Sequence, residues 1–248
     1  GYFGGFVAFN DKRLYGTYGQ LTAAARSNHP VGWDPDTQRS FFDTADTTIT
    51  HDFYEAMHSL STATGQALAT VDDLRTRSRL LDVGGGSGAI PIELCHARPG
   101  LKATVFDLPH VTDFAAAKIA AVGLSDRIAT AAGDLFAPDP YPAGHDVALL
   151  SLIMHSFTPD QDRQILAKTR DCLPSGGLVV ISELLVNDDK TGPPPAALMS
   201  LTMLIEDQGR NYTAAEYEQW LTETGFHNAR RLALDVPGAN GLVIAEKP

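Results

Sequence analysis

Two patterns of hydrophobic and polar positions divide the chain near residue 75. Before that point apolar residues recur at helical spacing, most clearly from Asp52 to Leu74, and Asp34-Pro35-Asp36 has the composition of a turn. Beyond it, short apolar runs alternate with longer amphipathic segments. We therefore predict a helical segment over residues 1–75, and a ligand-binding domain over residues 76–248.

The runs beyond residue 75 predict strands that alternate with helices. The predicted strands cover Arg79–Val83, Lys102–Phe106, Arg127–Ala131, Asp146–Ser151, Gly177–Glu183, Asn228–Leu234 and Gly241–Glu246. The predicted helices cover Ala89–Ala97, Val111–Val122, Pro159–Cys172 and Thr213–Thr224. This alternation is typical of an α/β fold with a mainly parallel sheet covered on both faces, and the last two strands are expected to form an antiparallel hairpin at one edge. Ligands are then expected beyond the carboxyl ends of the parallel strands.

The composition is that of a folded, acidic protein. Hydrophobic residues make up 44% and charged residues 20%, and the formal net charge is −11. This charge argues against non-specific binding to nucleic acid or anionic membranes, because both require basic patches. No apolar run reaches the roughly 20 residues of a membrane-spanning helix. We expect neither a nucleic acid nor a membrane as partner.

The two cysteines indicate a reducing compartment. Cys95 and Cys172 each fall among apolar residues of a predicted helix, outside any CxxC motif or Cys/His cluster. Both are therefore expected to be buried hydrophobic side chains, no metal site is expected, and a cytoplasmic location is predicted. The chain begins with Gly1 rather than Met, so we expect it to be a fragment.

A glycine-rich segment, Leu80–Gly88, joins the first predicted strand to the helix that follows. Its glycines are Gly84, Gly85, Gly86 and Gly88. The spacing differs from the GxGxxG of dinucleotide sites, and the carboxylate of Asp82 would repel a pyrophosphate at the helix N-terminus. The segment therefore favours a ligand with an ammonium group and no phosphate. The alternative is a tight turn that binds nothing.

Two further acids follow the next two strands. Asp107 ends the second strand, about 20 residues beyond the loop, where an acid commonly accepts hydrogen bonds from ribose hydroxyls. Asp134 follows the third strand within Gly133–Phe136, where it could accept from an adenine amino group while Leu135 and Phe136 pack on the ring. Either acid alone could equally cap a helix. Together with the loop they indicate a nucleoside site.

These segments resemble motifs of the class I methyltransferases. Phe106–Val111, Leu152–Phe157 and Gly209–Thr213 are similar to segments of the small-molecule O-methyltransferases of plants and bacteria, such as the caffeate and hydroxyindole enzymes. The resemblance runs from about residue 50 to the end of the chain. It implies a Rossmann-like fold with a seven-stranded sheet, S-adenosylmethionine as cofactor and a small aromatic acceptor. It also implies a homodimer held mostly by an N-terminal domain that is absent here.

The resemblance assigns roles to individual residues. His155 corresponds to a catalytic general base and Glu183 to the acid that orients it. The cofactor-binding set comprises Asp82, Gly84, Gly85, Gly86, Gly88, Asp107, Leu108, Gly133, Asp134, Leu135, Phe136, Ser151 and Ser61. The acceptor-binding set comprises Met57, Met154, Met199, Met203 and Asn211. The leading hypothesis is an O-methyltransferase in which His155 removes the proton of a phenol.

Three positions depart from that family. Ser156, Asn211 and Ser151 stand where relatives usually carry Asp, Glu and Lys. Because an amide cannot compensate an imidazolium as a carboxylate does, we expect a weaker base. Transfer to carbon or nitrogen, or a non-methylating hydroxylase-like or pericyclase-like reaction, is therefore an alternative.

Two alternatives lie outside this enzyme class. A cofactor-binding sensor is disfavoured because both His155 and Glu183 are present. A nicotinamide dehydrogenase is disfavoured because GxGxxG is absent.

Overall fold

The computed structural model describes residues 4–33 and 47–248, which form a seven-stranded sheet with helices on both faces. The turn predicted at Asp34-Pro35-Asp36 lies outside the described residues. No helix within these described ranges combines the length and the apolar character needed to cross a membrane.

The described residues before the sheet are mainly helical, as predicted. They include α1 (Gly4–Phe9), a π-helical stretch (Asn10–Leu14), α2 (Tyr15–Tyr18), α3 (Leu21–Ser27), α4 (Thr47–Leu68) and α5 (Asp72–Arg75). The single helix predicted from Asp52 to Leu74 is wrong at its C-terminal end. Val71 adopts an extended conformation, with φ −74° and ψ 121°, which separates α4 from α5. Such a break suits a β-branched residue, which loses side-chain freedom in a helix.

The sheet follows the predicted order of strands. These are β1 (Arg79–Val83), β2 (Lys102–Asp107), β3 (Ile128–Ala132), β4 (Val147–Ser151), β5 (Leu178–Glu183), β6 (His227–Val236) and β7 (Ala239–Glu246). Their spatial order is β3-β2-β1-β4-β5-β7-β6. The first five are parallel, whereas β7 runs antiparallel to both β5 and β6, so the predicted edge hairpin is confirmed.

The chain reverses its direction across the sheet between β1 and β4, which are neighbours in space. Crossovers on the two sides of this point diverge and leave a crevice at the carboxyl ends of the strands. The fold thus places the glycine-rich segment, which follows β1, at the centre of this edge.

Alternate residues of the strands point to opposite faces and enter two separate cores. In β1, Leu81 and Val83 pack on one face, whereas Leu80 packs on the other. The remaining helices are α6 (Ala89–Ala97), α7 (Pro109–Ala121), α8 (Pro159–Cys172), α9 (Pro194–Glu206) and α10 (Ala214–Glu223). Helices α8 and α10 cover the first face, and α6 and α7 cover the second.

Local signals account for most of these helices. Thr213 caps α10 in a capping box with Glu216, as its sequence indicates, and Thr158 and Gln161 form the same arrangement at α8. Cys95 and Cys172 are buried free thiols, as predicted. Helix α9 was not predicted, because its residues are apolar without a clear period.

Candidate active site

A cavity of about 1150 Å³ opens at the carboxyl ends of the central strands. Its wall combines the glycine-rich segment, the turns after β2, β3 and β4, and side chains from α1, α4 and α9. A volume of this size exceeds that of common single-ligand pockets, which fits a site for a cofactor and an acceptor together.

The glycine-rich segment turns sharply over the end of β1. Gly84 and Gly86 have φ angles of +67° and +54°, which side-chain-bearing residues rarely adopt, and both line the cavity. Gly85 also lines it, and a Cβ there would lie 2.6 Å from a carboxylate oxygen of Asp82. The backbone therefore approaches any ligand without an intervening side chain.

Gly88 was predicted to bind the cofactor, and the structure places it elsewhere. It is the residue immediately before α6, with φ +72°, and it does not line the cavity. A Cβ at this position would lie 3.3 Å from Val105, so Gly88 allows α6 to approach the sheet closely.

Two of the predicted acids lie side by side at this end of the cavity. Asp107 accepts hydrogen bonds from the backbone N–H groups of Gly86, at 2.8 Å, and Leu108, at 2.7 Å. Burial raises the pKa of Asp107 to about 6, although these two hydrogen bonds oppose the rise. Burial and the neighbouring charge of Asp107 raise the pKa of Asp82 to about 8. A neighbouring cation would stabilise the ionised form of both carboxyl groups.

The third predicted acid lies at the adjacent part of the wall. Asp134 lines the cavity and accepts a hydrogen bond from the backbone N–H of Phe136 at 2.8 Å. The Phe136 ring meets that of Phe157 edge to face, at 5.1 Å between centroids. At Gly133 a Cβ would overlap the ring of Phe106, so only glycine fits there. These groups form an apolar slot with one carboxylate at its rim.

The remaining residues predicted for the cofactor also border the cavity: Leu108, Leu135, Ser151 and Ser61. The buried hydroxyl of Ser151 has no hydrogen-bond partner in the described part of the chain. A buried hydroxyl costs free energy unless it is paired, so Ser151 indicates a polar ligand group at this point. This unpaired hydroxyl and the side-chain-free glycine wall fit S-adenosylmethionine, whose carboxylate, ammonium and ribose groups can bond to both.

His155 lies in a short 3₁₀ turn, Met154–Ser156, directly after β4. Its Nδ1 lies 2.7 Å from Oε2 of Glu183, which ends β5. The other oxygen of Glu183, Oε1, accepts from the backbone N–H groups of residues 153–155 at 3.1, 3.2 and 3.4 Å. Glu183 therefore fixes both the turn and the ring, and Nε2 is the ring nitrogen left to exchange a proton.

The electrostatic surroundings favour the protonated form of this histidine. Burial would lower the pKa of His155, but the charge and hydrogen bond of Glu183 and the charge of Asp207 raise it above its usual 6.5. Because His155 also lines the cavity, it can accept a proton from a bound molecule.

Three of the methionines predicted for the acceptor, Met57, Met199 and Met203, line the cavity. The other two predicted residues do not. Met154 is completely buried in the core beneath the sheet, because the 3₁₀ turn directs it inward. Asn211 is buried, and its Nδ2 donates to the carbonyl of Leu184 at 2.8 Å.

Sequence reasoning missed several residues of this wall. Phe9, Trp33 and Tyr54 add aromatic surface to the wall. Glu206 and Asp207 were also missed, and they follow the last apolar residues of α9. Acids are unfavourable at the C-terminus of a helix, so their position was a signal of a special role.

Comparison with known proteins gives a consistent family assignment. A protein-family model described as an O-methyltransferase domain matches residues 18–227. A 3-hydroxy-5-methyl-1-naphthoate 3-O-methyltransferase from Streptomyces sahachiroi is 47% identical over 246 residues, which cover 99% of this chain and 70% of that protein. An L-tyrosine C(3)-methyltransferase from Streptomyces lavendulae is 37% identical over 199 residues, covering 79% of this chain and 54% of that protein.

Solved structures show the same fold. A structure of PigF with SAH superimposes with a TM-score of 0.88 and 30% identity, covering 99% of this chain and 74% of that one. A human N-acetylserotonin methyltransferase in complex with SAM gives a TM-score of 0.84 at 24% identity, covering 98% of this chain and 71% of that one.

Proposed function

Because the chain belongs to the O-methyltransferase domain family, we propose that it methylates a hydroxyl group of a hydroxynaphthoate-like aromatic acceptor, with His155 as general base. The chain is an S-adenosylmethionine-dependent enzyme of the class I methyltransferase fold. The observation that carries the role of His155 is its ring, which is held by Glu183 through Nδ1 and lines the same cavity as the glycine-rich segment.

The cofactor supplies a methyl group made electrophilic by its sulfonium. We assign Asp107 to the ribose hydroxyls and Asp134 to the adenine amino group, with Leu135 and Phe136 against the base. Asp82 and the glycine-rich segment lie where an ammonium group would be favoured, because Asp82 is buried beside another acid. These residues orient the methyl group and exclude water from it.

Methyl transfer to a phenol forms an O–CH₃ bond, breaks the S–CH₃ bond and releases the hydroxyl proton. Nε2 of His155 accepts that proton while Nδ1–H donates to Glu183. Met57, Met199 and Met203 provide adaptable apolar surface for the flat acceptor.

The decisive experiment compares the wild type with His155→Gln on 3-hydroxynaphthoates. The wild type should add one methyl group to the acceptor, as detected by mass spectrometry. His155→Gln should lower kcat by about 10²–10⁴, the usual contribution of general base catalysis. The Kd for S-adenosylmethionine should stay within about twofold, because Nδ1 is committed to Glu183 rather than to the cofactor. Full turnover of His155→Gln would contradict the role of His155.

Transfer to carbon is a second candidate, favoured by the similarity to an L-tyrosine C(3)-methyltransferase. An NMR spectrum of the product distinguishes the two, since O-methyl and ring-bound methyl groups resonate at different shifts. A C-methylated product would replace the leading proposal.

We further propose that the described helices of the predicted segment 1–75 close the acceptor end of a cofactor domain formed by residues 76–248. Exposed apolar side chains on α1, α2 and α9, namely Val7, Tyr15, Leu198 and Leu201, support contact with a second copy in a cytoplasmic homodimer. Light scattering that finds only monomers at micromolar concentration would contradict the dimer.

A further inference from the structure

Asn211 carries an amide, and its buried side chain faces the backbone after β5 and not the cavity. Its Nδ2 donates to the backbone of Leu184, and its Oδ1 is buried without a partner in the described part of the chain. Glu183 alone would then have to compensate the charge of a protonated His155.

The carboxylate of Asp207, on a different segment, accepts a hydrogen bond from Ser156, the residue next to His155. Asp207 directly follows α9, lines the same cavity and is held there by its backbone N–H, which donates to the carbonyl of Met203 at 2.7 Å. Gly209, two residues later, packs against the backbone of the histidine turn. A Cβ there would overlap the carbonyl of His155 and lie 2.6 Å from the nitrogen of Phe157. The residues that follow α9, from Asp207 to Gly209, therefore pack closely against the turn that contains His155.

We propose that Asp207 is a charge-compensating positioning residue for His155, whose carboxylate stabilises the imidazolium formed when the acceptor gives up its proton. This inference rests on the proposed role of His155 as base.

The charge balance of the reaction explains why a second carboxylate matters. Before transfer, one positive charge resides on the sulfonium and the imidazole is neutral. Afterwards the sulfur is a neutral thioether, and the positive charge resides on His155. A carboxylate beside the ring therefore stabilises the product side of the proton transfer more than the reactant side, which lowers the barrier.

The titrating groups around the ring are consistent with this role. Glu183 and Asp207 both raise the pKa of His155 against the effect of burial. Burial raises the pKa of Asp207 to about 7, while the charge of His155 and a hydrogen bond from Ser156 oppose the rise. The charge of each group therefore favours the ionised form of the other.

Other charged groups lie around the histidine and α9. Asp162 of α8 lies near Glu183, so its charge, where present, would act on the base through that residue. Glu206 is paired with Arg13, with 2.5 Å between its Oε2 and a guanidinium nitrogen. The charge of Glu206 is balanced by Arg13. Of the two acids at the end of α9, Asp207 is therefore the one whose charge acts on His155.

The test measures the pKa of His155 directly, by NMR titration of isotope-labelled histidine in the full chain, with His155→Gln to assign the signal. In Asp207→Asn the pKa should fall by about one pH unit, the usual effect of removing an opposite charge. The acid limb of the kcat profile should move to lower pH by the same amount, and kcat at its plateau should fall by about tenfold because the base is weaker.

Two further variants separate charge from structure. Asp207→Glu keeps the charge and should restore most of the pKa of His155, whereas Asp160→Asn removes an exposed acid of α8 and should change neither readout. If Asp207→Asn does not fold, Asp207→Ser provides the same comparison. An unchanged titration of His155 without the Asp207 carboxylate would overturn the inference, whatever the activity. Full activity of His155→Gln would instead refute the proposed base.

Discussion

Asp82 of β1 and Asp107 of β2 are two neighbouring buried acids at the carboxyl ends of adjacent strands. Their pKa values rise to about 8 and about 6, because burial penalises two adjacent negative charges. Without a ligand, part of this cluster is therefore protonated at neutral pH. A ligand that brings positive charge favours the ionised form, so binding should displace protons.

We expect the affinity for S-adenosylmethionine to rise as the pH increases from about 6 to about 8, and then to level off. If one proton is released, the gain approaches about tenfold per pH unit. Calorimetry at several pH values, in two buffers with different ionisation enthalpies, measures both the Kd and the number of protons released.

Asp82→Asn removes the group that titrates at the higher pH. The variant should bind S-adenosylmethionine more weakly than the wild type does at pH 8, and its Kd should depend less on pH. Asp113→Asn, a change at an exposed position of α7, should behave as the wild type does. A wild-type Kd that is constant from pH 6 to pH 8 would show that ligand binding displaces no proton from these two acids.

Among individual residues, the sequence predicts site residues that follow a strand directly. It does not predict site residues whose position depends on the packing of distant segments. The glycines and acids after β1, β2 and β3 follow strands directly, so their common edge follows from topology. Gly88 follows β1 and Met154 follows β4, yet the contact of Gly88 with the sheet and the inward direction of Met154 depend on how each turn folds. Asp207 was missed because its proximity to His155 arises from α9 packing across the site.

The contact between α4 and α6 shows how two helices fix the shape of the cavity. Gly65 of α4 faces α6 so closely that a Cβ would lie 2.8 Å from the Cβ of Glu93 and 3.1 Å from the Cα of Ile90. Neither atom is the free end of a flexible side chain. Because α4 also carries Met57 and Ser61 of the cavity wall, its distance from α6 affects the shape of the cavity.

Gly65→Ala should destabilise the protein by about 1–3 kcal/mol, the usual cost of overpacking, although alanine is the better helix former. The melting temperature should fall, and the Kd values of cofactor and acceptor should both increase. Gly16→Ala in α2 is the matched control, because a Cβ there meets nothing within 4 Å. An unchanged or higher melting temperature for Gly65→Ala would contradict the close contact.

The strands could be predicted from the sequence more accurately than the helices, because their signals are local. The strands were predicted to within a few residues, because buried parallel strands are short apolar runs bounded by glycine or polar residues. The break at Val71 and helix α9 were not predicted. Both depend on contacts with the rest of the molecule, because their own sequences carry no strong cap or period.

The whole molecule contains a buried acid that the reaction does not use. Asp162 of α8 is completely buried, and neither of its carboxylate oxygens has a hydrogen-bond partner in the described part of the chain. Burial and the charge of Glu183 raise its pKa to about 9, whereas Arg163 and Arg210 lower it. The folded protein therefore keeps this carboxyl group protonated at neutral pH.

This burial makes global stability depend on pH. Because the pKa of Asp162 is higher in the folded than in the unfolded state, the folded state binds more protons between about pH 4 and pH 9. Its contribution to stability is complete below about pH 4 and is lost as the pH rises through about 9. Asp82 and Asp207, with pKa values of about 8 and about 7, act in the same direction at lower pH.

Asp162→Asn mimics the protonated side chain at every pH, so its melting temperature should decline less between pH 6 and pH 9. At pH 9 it should exceed the wild type by at least about 2 °C, since 1 kcal/mol changes the melting temperature of a domain of this size by about 2–4 °C. Asp160→Asn, two residues earlier on the same helix and exposed to solvent, should follow the wild-type curve. Scanning calorimetry of the three proteins without ligand makes the comparison. If Asp162→Asn declined in parallel with the wild type, Asp162 would be ionised in the folded protein, and its charge would have to be compensated by groups such as Arg163 and Arg210.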